Sequence, residues 1–309
     1  MDVRQLTYFL AVVDRGGFTR AAEHLIIAQP SLSQTIKGLE RELGVSLFHR
    51  IGRRVVLSKA GHELLGPARL VVRDLEAARS AVDNVRGVRS GRLDMIAMPS
   101  PGIEPLTAMI ATYARAHPAV TLNVDAAFTA EEVLDSVRTG GAEIGILGTK
   151  VPFRSGDVKV LHLEQQPLVL IVAPGTDAFD GSDTIDRDDL AGHRIVASQQ
   201  GSLMRLMVDD TLAHGVPLQI VAEVAHRTSV LPLVLAGVGH AVMPSSWTPL
   251  AHQAGLCVVQ ISPTTPLHVA AISRPEHVTP AASAFLEVAQ EHAARAGGDR
   301  ALAGEPTDQ

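Results

Sequence analysis

The sequence predicts an α/β protein in three parts: a helix-turn-helix head with a β-wing, a long helix, and a body of two α/β lobes. Three observations predict it. Apolar residues recur at helical spacing through the first 45 residues, a 3-4 apolar repeat then runs from residue 59 to residue 89, and beyond residue 90 strand-like and helix-like runs alternate.

The chain has 309 residues, 46% of them hydrophobic and 19% charged. That balance supports large buried cores and excludes a disordered chain. No run of 18 uncharged apolar residues is present, and Met1-Asp2-Val3-Arg4-Gln5 lacks the layout of a secretion signal, so a cytoplasmic protein without membrane spans is expected. The single cysteine, Cys257, excludes an internal disulfide and reads as a small core residue. Net charge is −6, but unevenly spread. Residues 1–60 hold nine basic and five acidic side chains, a net of +4, against 18 and 28 in the other 249 residues, a net of −10. A basic head on an acidic body implies that one end meets a polyanion.

In the head, Leu6, Phe9, Leu10 and Val13 mark a first helix ended by Gly16-Gly17. Phe18, Ala21, Ala22 and Leu25 mark a second, whose small alanines admit close approach of the next helix. A third follows Pro30, with Leu32, Ile36, Leu39 and Leu43, and stops at Gly44. Burying Leu32, Ile36 and Leu39 leaves Ser33, Gln34 and Lys37 on the far face, the chemistry of a helix lying in the DNA major groove: Gln pairs with adenine, hydroxyls bond to bases or phosphates, and Lys neutralises phosphate. Phe48 to Ser58 alternates basic turn and apolar strand, as a β-wing does whose arginines enter a minor groove. The DNA-facing set is therefore Gln29, Pro30, Ser31, Ser33, Gln34 and Lys37 from the helix and Arg50, Arg53 and Arg54 from the wing.

These residues carry a resemblance. The run from Phe18 through Leu25, then Gln29-Pro30-Ser31-Leu32-Ser33-Gln34 through Arg50, then Leu57-Ser58-Lys59-Ala60-Gly61, resembles the signature of LysR-type transcriptional regulators. Ser58 departs from the threonine common there but keeps a hydroxyl cap. The resemblance is strong over roughly the first 65 residues and weaker beyond.

Gly61, Leu64, Ala68, Val71, Leu75, Ala78, Val82 and Val85 form an apolar seam between charged flanks, which needs a partner helix. A homodimer through this helix is expected. It would set two heads about 34 Å apart, one DNA turn. The resemblance further implies a homotetramer and admits RNA polymerase as a partner.

In the body, Leu93–Met98, Val120–Ala126 and Glu143–Leu147 read as strands and Pro105–Ala116 and Glu131–Thr139 as helices, in a parallel arrangement. A second set holds strands Leu168–Ala173, Arg194–Ser198, Leu218–Val224 and His240–Met243 with helices Ser202–His214 and Val230–Ala236, after which strand His268–Ser273 and helix Pro280–Ala293 return. Two lobes with crossovers near Leu163 and Thr265 resemble periplasmic binding proteins and the LysR-type effector domain. The expected division is head 1–58, linker helix 59–89, effector domain 90–293 with lobe I at about 93–162 and 268–292 and lobe II at about 163–267, and a flexible tail 294–309 rich in glycine.

Helix starts and strand ends converge between such lobes and favour a small anion, a carboxylate in chemical class. The segments that meet there are Pro99–Gly102, Phe128-Thr129, Gly148–Lys150, Ser198–Ser202 and His226–Thr228. Within them the resemblance implies Ser100, Thr129, Ser198 and Gln199 as pocket positions. Arg227 adds a guanidinium suited to a carboxylate.

No Gly-x-Ser-x-Gly, P-loop or His-Glu-x-x-His motif is present, and Gly237-Val238-Gly239-His240 lacks the third glycine of a dinucleotide fingerprint. No catalytic residues, metal or cofactor are expected. The reading is a DNA-binding regulator under small-molecule control, the alternatives being a solute-binding protein or an α/β enzyme with a DNA-binding head.

Overall fold

The head begins with three helices, α1 (Val3–Asp14), α2 (Phe18–Leu25) and α3 (Gln29–Leu43). The computed structural model describes residues 1–52, 54–83, 91–176, 179, 181–276 and 278–302, with the side chains of 50, 76, 79–83 and 298–302 outside that description. Arg53, Val85 and Arg89 thus lie outside the described residues, as do residues 303–309 of the expected tail.

Asp2 opens α1 with a capping box to Gln5. Leu32, Ile36 and Leu39 of α3 bury against Leu6, Phe9 and Val12 of α1 and Ala21 and Ala22 of α2. Each large side chain contributes roughly 2 kcal/mol by leaving water. Between α2 and α3 the chain turns at Ile26, which holds φ 55 and is 91% exposed. The wing is a hairpin, β1 (Phe48–Ile51) paired with β2 (Arg54–Leu57), with Ile51 opposite Arg54 across Gly52 at φ 61. It is fastened to the head by Glu40, whose Oε1 accepts from the Leu47 amide at 2.8 Å, and by Phe48, which packs its ring 5.4 Å from Phe9.

The long helix α4 (Lys59–Asp83) starts on the Ser58 hydroxyl, which accepts from the Gly61 amide at 3.0 Å. A Cβ on Gly61 would stand 2.2 Å from the Leu47 carbonyl oxygen, so only glycine admits this approach. The seam read from the sequence divides. Leu64 and Ala68 pack into the head's own core, whereas Val71 is 44% exposed and Ala78 is exposed. Further along, Arg73 pairs with Asp94 at 3.3 Å and Arg274 with Asp74 at 3.7 Å, tying α4 to the body.

Lobe I is a five-stranded sheet in the order β4-β3-β5-β13-β6. It comprises β3 (Gly91–Ala97), β4 (Val120–Ala126), β5 (Ile144–Thr149), β6 (Lys159–Gln166) and the returning β13 (Leu267–Ser273). Its helices are α5 (Pro99–Ile103), α6 (Leu106–Ala116), α7 (Ala130–Arg138) and α11 (Pro280–Leu302). Lobe II holds a sheet ordered β11-β7-β12-β8 and a parallel pair β9/β10. Its strands are β7 (Leu168–Val172), β8 (Thr184–Ile185), β9 (Arg194–Ser198), β10 (Gln219–Val224), β11 (Ala241–Pro244) and β12 (Cys257–Ile261). The helices α8 (Leu203–Ala213), α9 (Val230–Leu235) and α10 (Thr248–Gln253) complete it.

Four readings are corrected. The sheets are mixed, because β13 runs antiparallel to β5 and β6, and β7 antiparallel to β11 and β12. The first crossover lies at Pro167, since β6 stays paired with β13 through Gln166 and residues 163–166 therefore belong to lobe I. Helix α11 continues to Leu302, so residues 294–302 are not tail; Gly297-Gly298 costs a helix about 1 kcal/mol per glycine without breaking it. Cys257 is exposed at the first position of β12, where the burial of Val259 and Ile261 does not reach it.

Candidate functional site

The head presents α3 outward. Ser31, Gln34 and Lys37 are exposed, Pro30 is exposed beside them, and Gln29 and Ser33 are half-buried. The Thr35 hydroxyl donates to the Ser31 carbonyl at 3.0 Å and stays on the helix. A groove lined by Thr19, Arg20, Gln29 and Arg54 opens between α2, the start of α3 and the wing. Arg20, which the sequence reading passes over, donates to the Gly16 carbonyl at 2.9 Å and so is held at the groove's edge. Arg50 takes its register opposite Val55, and its side chain lies outside the described residues. Arg20, Lys37 and Arg54 are in no ion pair among the described residues.

The second site is a cavity of about 330 Å³ between the lobes. Strand ends supply it: Ser100 from α5 after β3, Thr129 after β4, Lys150 after β5, and Gln199 after β9, with Arg227 from the turn preceding α9. Ser100 is 2% exposed, and its hydroxyl accepts a hydrogen bond from Arg227 Nη1, which also lies 3.6 Å from Met204 Sδ. Burial lowers the Arg227 pKa to about 10, which leaves the guanidinium charged at neutral pH. Among the described residues no Asp or Glu lines the cavity, while Lys150 adds a second, exposed cation and Met98, Met204, Leu203 and Leu267 an apolar wall. Such a chamber suits an anion with an apolar body.

Four of the five sequence-derived pocket residues line this chamber: Ser100, Thr129, Gln199 and Arg227. Ser198 does not line it. The side chain is 5% exposed, at the end of β9 opposite Val224 of β10. Thr129 is committed locally: its Oγ1 accepts from the Glu132 amide at 3.1 Å while Glu132 accepts from the Phe128 amide at 2.7 Å, a capping box that closes the start of α7. Ser202 similarly caps α8 and donates to the Gln199 carbonyl at 2.9 Å. Phe128, 48% exposed, and Lys150 fall in strand-end segments that the sequence identifies without ranking them, and Met204 lies in a helix whose periodicity says only core. His226 is exposed and outside the lining. Among the described residues no three His, Cys, Asp or Glu converge to hold a metal, and no helix is long and apolar enough to cross a membrane.

Comparison with known proteins gives the family of both parts of the chain. Residues 3–62 match the family described as bacterial regulatory helix-turn-helix protein, lysR family, and residues 86–294 match the LysR substrate binding domain. The RuBisCO operon transcriptional regulator of Allochromatium vinosum is 28% identical over 96% of this chain and 97% of its own. Full-length OxyR of Pseudomonas aeruginosa, solved as a variant, superposes with a TM-score of 0.73 at 24% identity, covering 94% of each chain. Full-length CbnR in complex with its target DNA superposes at 0.68 and 23% identity, covering 95% of this chain and 100% of that one. With a reading head that matches one half of the family's architecture and a two-lobed chamber that matches the other, the chain belongs to the LysR family of DNA-binding transcriptional regulators.

Proposed function

We propose that this regulator answers to a small anion, a carboxylate in chemical class, bound between its lobes. One observation carries the reading: Arg227, a charged and largely desolvated guanidinium, meets a serine hydroxyl and no carboxylate, in a chamber that contains no acid. An uncompensated buried cation is costly, and an anionic ligand removes that cost. Ser100, Gln199 and Arg227 hold the anion directly, Lys150 meets it at the rim, and Thr129 shapes the wall as the cap of α7. Because the contacts come from both lobes, the ligand favours one lobe arrangement over the other, which is the condition for a switch.

In the DNA complex, Gln34 reads base edges with Ser31 and Ser33, while Lys37, Arg50, Arg53 and Arg54 hold phosphates or the minor groove and Gln29 and Pro30 set the helix start. The unit that binds is a homodimer through α4, doubled to a homotetramer, acting in the cytoplasm with RNA polymerase at the promoter. The exposure of Val71 and Ala78 supports the dimer.

The test is a mobility-shift and footprinting assay on the DNA upstream of the protein's own gene, with and without carboxylates selected by thermal shift on the full chain. A carboxylate that raises the melting temperature and alters the footprint is the expected result. If no anion in a broad carboxylate panel stabilises the protein, the anionic reading is rejected while DNA binding stands.

A further inference from the structure

A second, larger cavity of about 720 Å³ shares a wall with the first. The shared element is α5: Ser100 lines the first cavity, and Glu104, which caps the same helix at its C-terminus, lines the second. Lobe I contributes β6 and the flank of α11, and lobe II contributes Ser245, Ser246 and Pro249. The charge is opposite to that of the first chamber. Among the described residues no Lys or Arg lines it, while Glu104 and Glu164 do, together with His162 and His268.

The two acids differ in how they are satisfied. Glu164 accepts from Gln166 Nε2 at 2.7 Å and meets His292 Nε2 at 2.6 Å. Glu104 is half-buried, and its carboxylate takes only a long bond from the Ala108 amide at 3.4 Å. Burial, with Glu164 nearby, raises the Glu104 pKa, the mark of a carboxylate short of countercharge. Two further acceptors in this wall are buried and unpaired. Gln166 is 2% exposed and commits its amide nitrogen to Glu164 and to the Glu104 carbonyl at 2.9 Å, which leaves its buried Oε1 without a partner; Ser246 Oγ is likewise buried without one. Native proteins rarely leave such atoms unpaired.

We propose that this second cavity binds a small organic cation through a primary ammonium group, with Glu104 as counter-ion and Gln166 Oε1 and Ser246 Oγ as the remaining acceptors. An ammonium carries three donors, and this wall offers a carboxylate, an amide oxygen and a hydroxyl. A metal ion suits the donor set poorly, since no three ligating side chains converge among the described residues. The site is independent of the anion chamber in its chemistry and in the residues that hold the ligand.

The experiment titrates 1,4-diaminobutane, ethanolamine and the neutral 1,4-butanediol into the full-length protein by calorimetry. Saturable binding of an amine and none of the diol is expected, with affinity at least tenfold weaker in Glu104→Gln and unchanged in Arg227→Ala. Equal binding of diol and amine, no amine binding at millimolar concentration, or an amine affinity indifferent to Glu104→Gln overturns the proposal. Should Glu104→Gln fail to fold by circular dichroism, Ser246→Ala decides: a severalfold loss is expected, and undiminished affinity rejects the site.

Discussion

Arg227 donates a hydrogen bond to the Ser100 hydroxyl, and the two residues come from opposite lobes, 127 positions apart in the chain. The pair spans the chamber where the half-buried Arg227 guanidinium resides. Arg227→Ala should weaken the binding of any carboxylate that stabilises the wild type by tenfold or more, and Ser100→Ala should weaken it less, because the serine orients a guanidinium that remains. Arg227→Lys should not restore affinity, since a point charge lacks the guanidinium fork. Calorimetric titration measures all three; wild-type affinity in Arg227→Ala would remove the residue from the site.

Base reading and phosphate holding separate by mutation. Gln34→Ala should cost about 1–3 kcal/mol on the preferred operator and relax preference at one base position, whereas Arg54→Ala should weaken all sequences and lower the salt slope by about one. Affinity measured across a set of operator variants at several salt concentrations distinguishes them. A Gln34→Ala protein with intact sequence preference would contradict the assignment.

The seam on α4 is tested at Val71, which is exposed in the protomer and so can change without unfolding it. Val71→Asp should leave the circular dichroism spectrum unchanged and give monomers by light scattering, with loss of tight operator binding. A dimeric Val71→Asp protein would place the interface elsewhere.

Glu143 gives the body a pH dependence. It is 6% exposed, and burial raises its pKa above the ordinary 4.5, outweighing the hydrogen bond from Thr279 and the nearby Arg73, while Asp94 adds to the rise. The folded state therefore holds a proton that the unfolded state releases first. This contribution to stability is present below about pH 4.5 and is lost as pH rises through the folded-state pKa. Glu143→Gln should be more stable than wild type at pH 7.5, with the gap closing toward pH 4.5. Urea denaturation at both pH values checks it, and a variant destabilised equally at both would show that the carboxylate is needed for packing.

The head was the most legible part of the sequence because its signals are local. Leu32, Ile36 and Leu39 fix both the helix and its outward face at once, and Ser58 fixes the start of the next helix. Strand β6 was missed because His162, Glu164 and Gln165 break its apolar alternation; the strand is held by pairing with β13, about a hundred residues away, which no local pattern encodes. The chamber's location followed from strand ends, but not which side chains face it. Ser198 sits at such an end and turns inward, while Phe128 and Lys150 line the space with no motif to announce them.

The fit of Gly61 against the Leu47 carbonyl makes the head and α4 one rigid piece, and the helix is then a lever. From Arg73 and Asp74, where α4 grips the body, the helix runs about 22 Å to its head end at Lys59, so a tilt of about 10° there swings that end by about 4 Å. That is close to one base-pair step along DNA. In the proposed dimer, a small change of angle at the body end of one helix would thus decide whether two half-sites are in register.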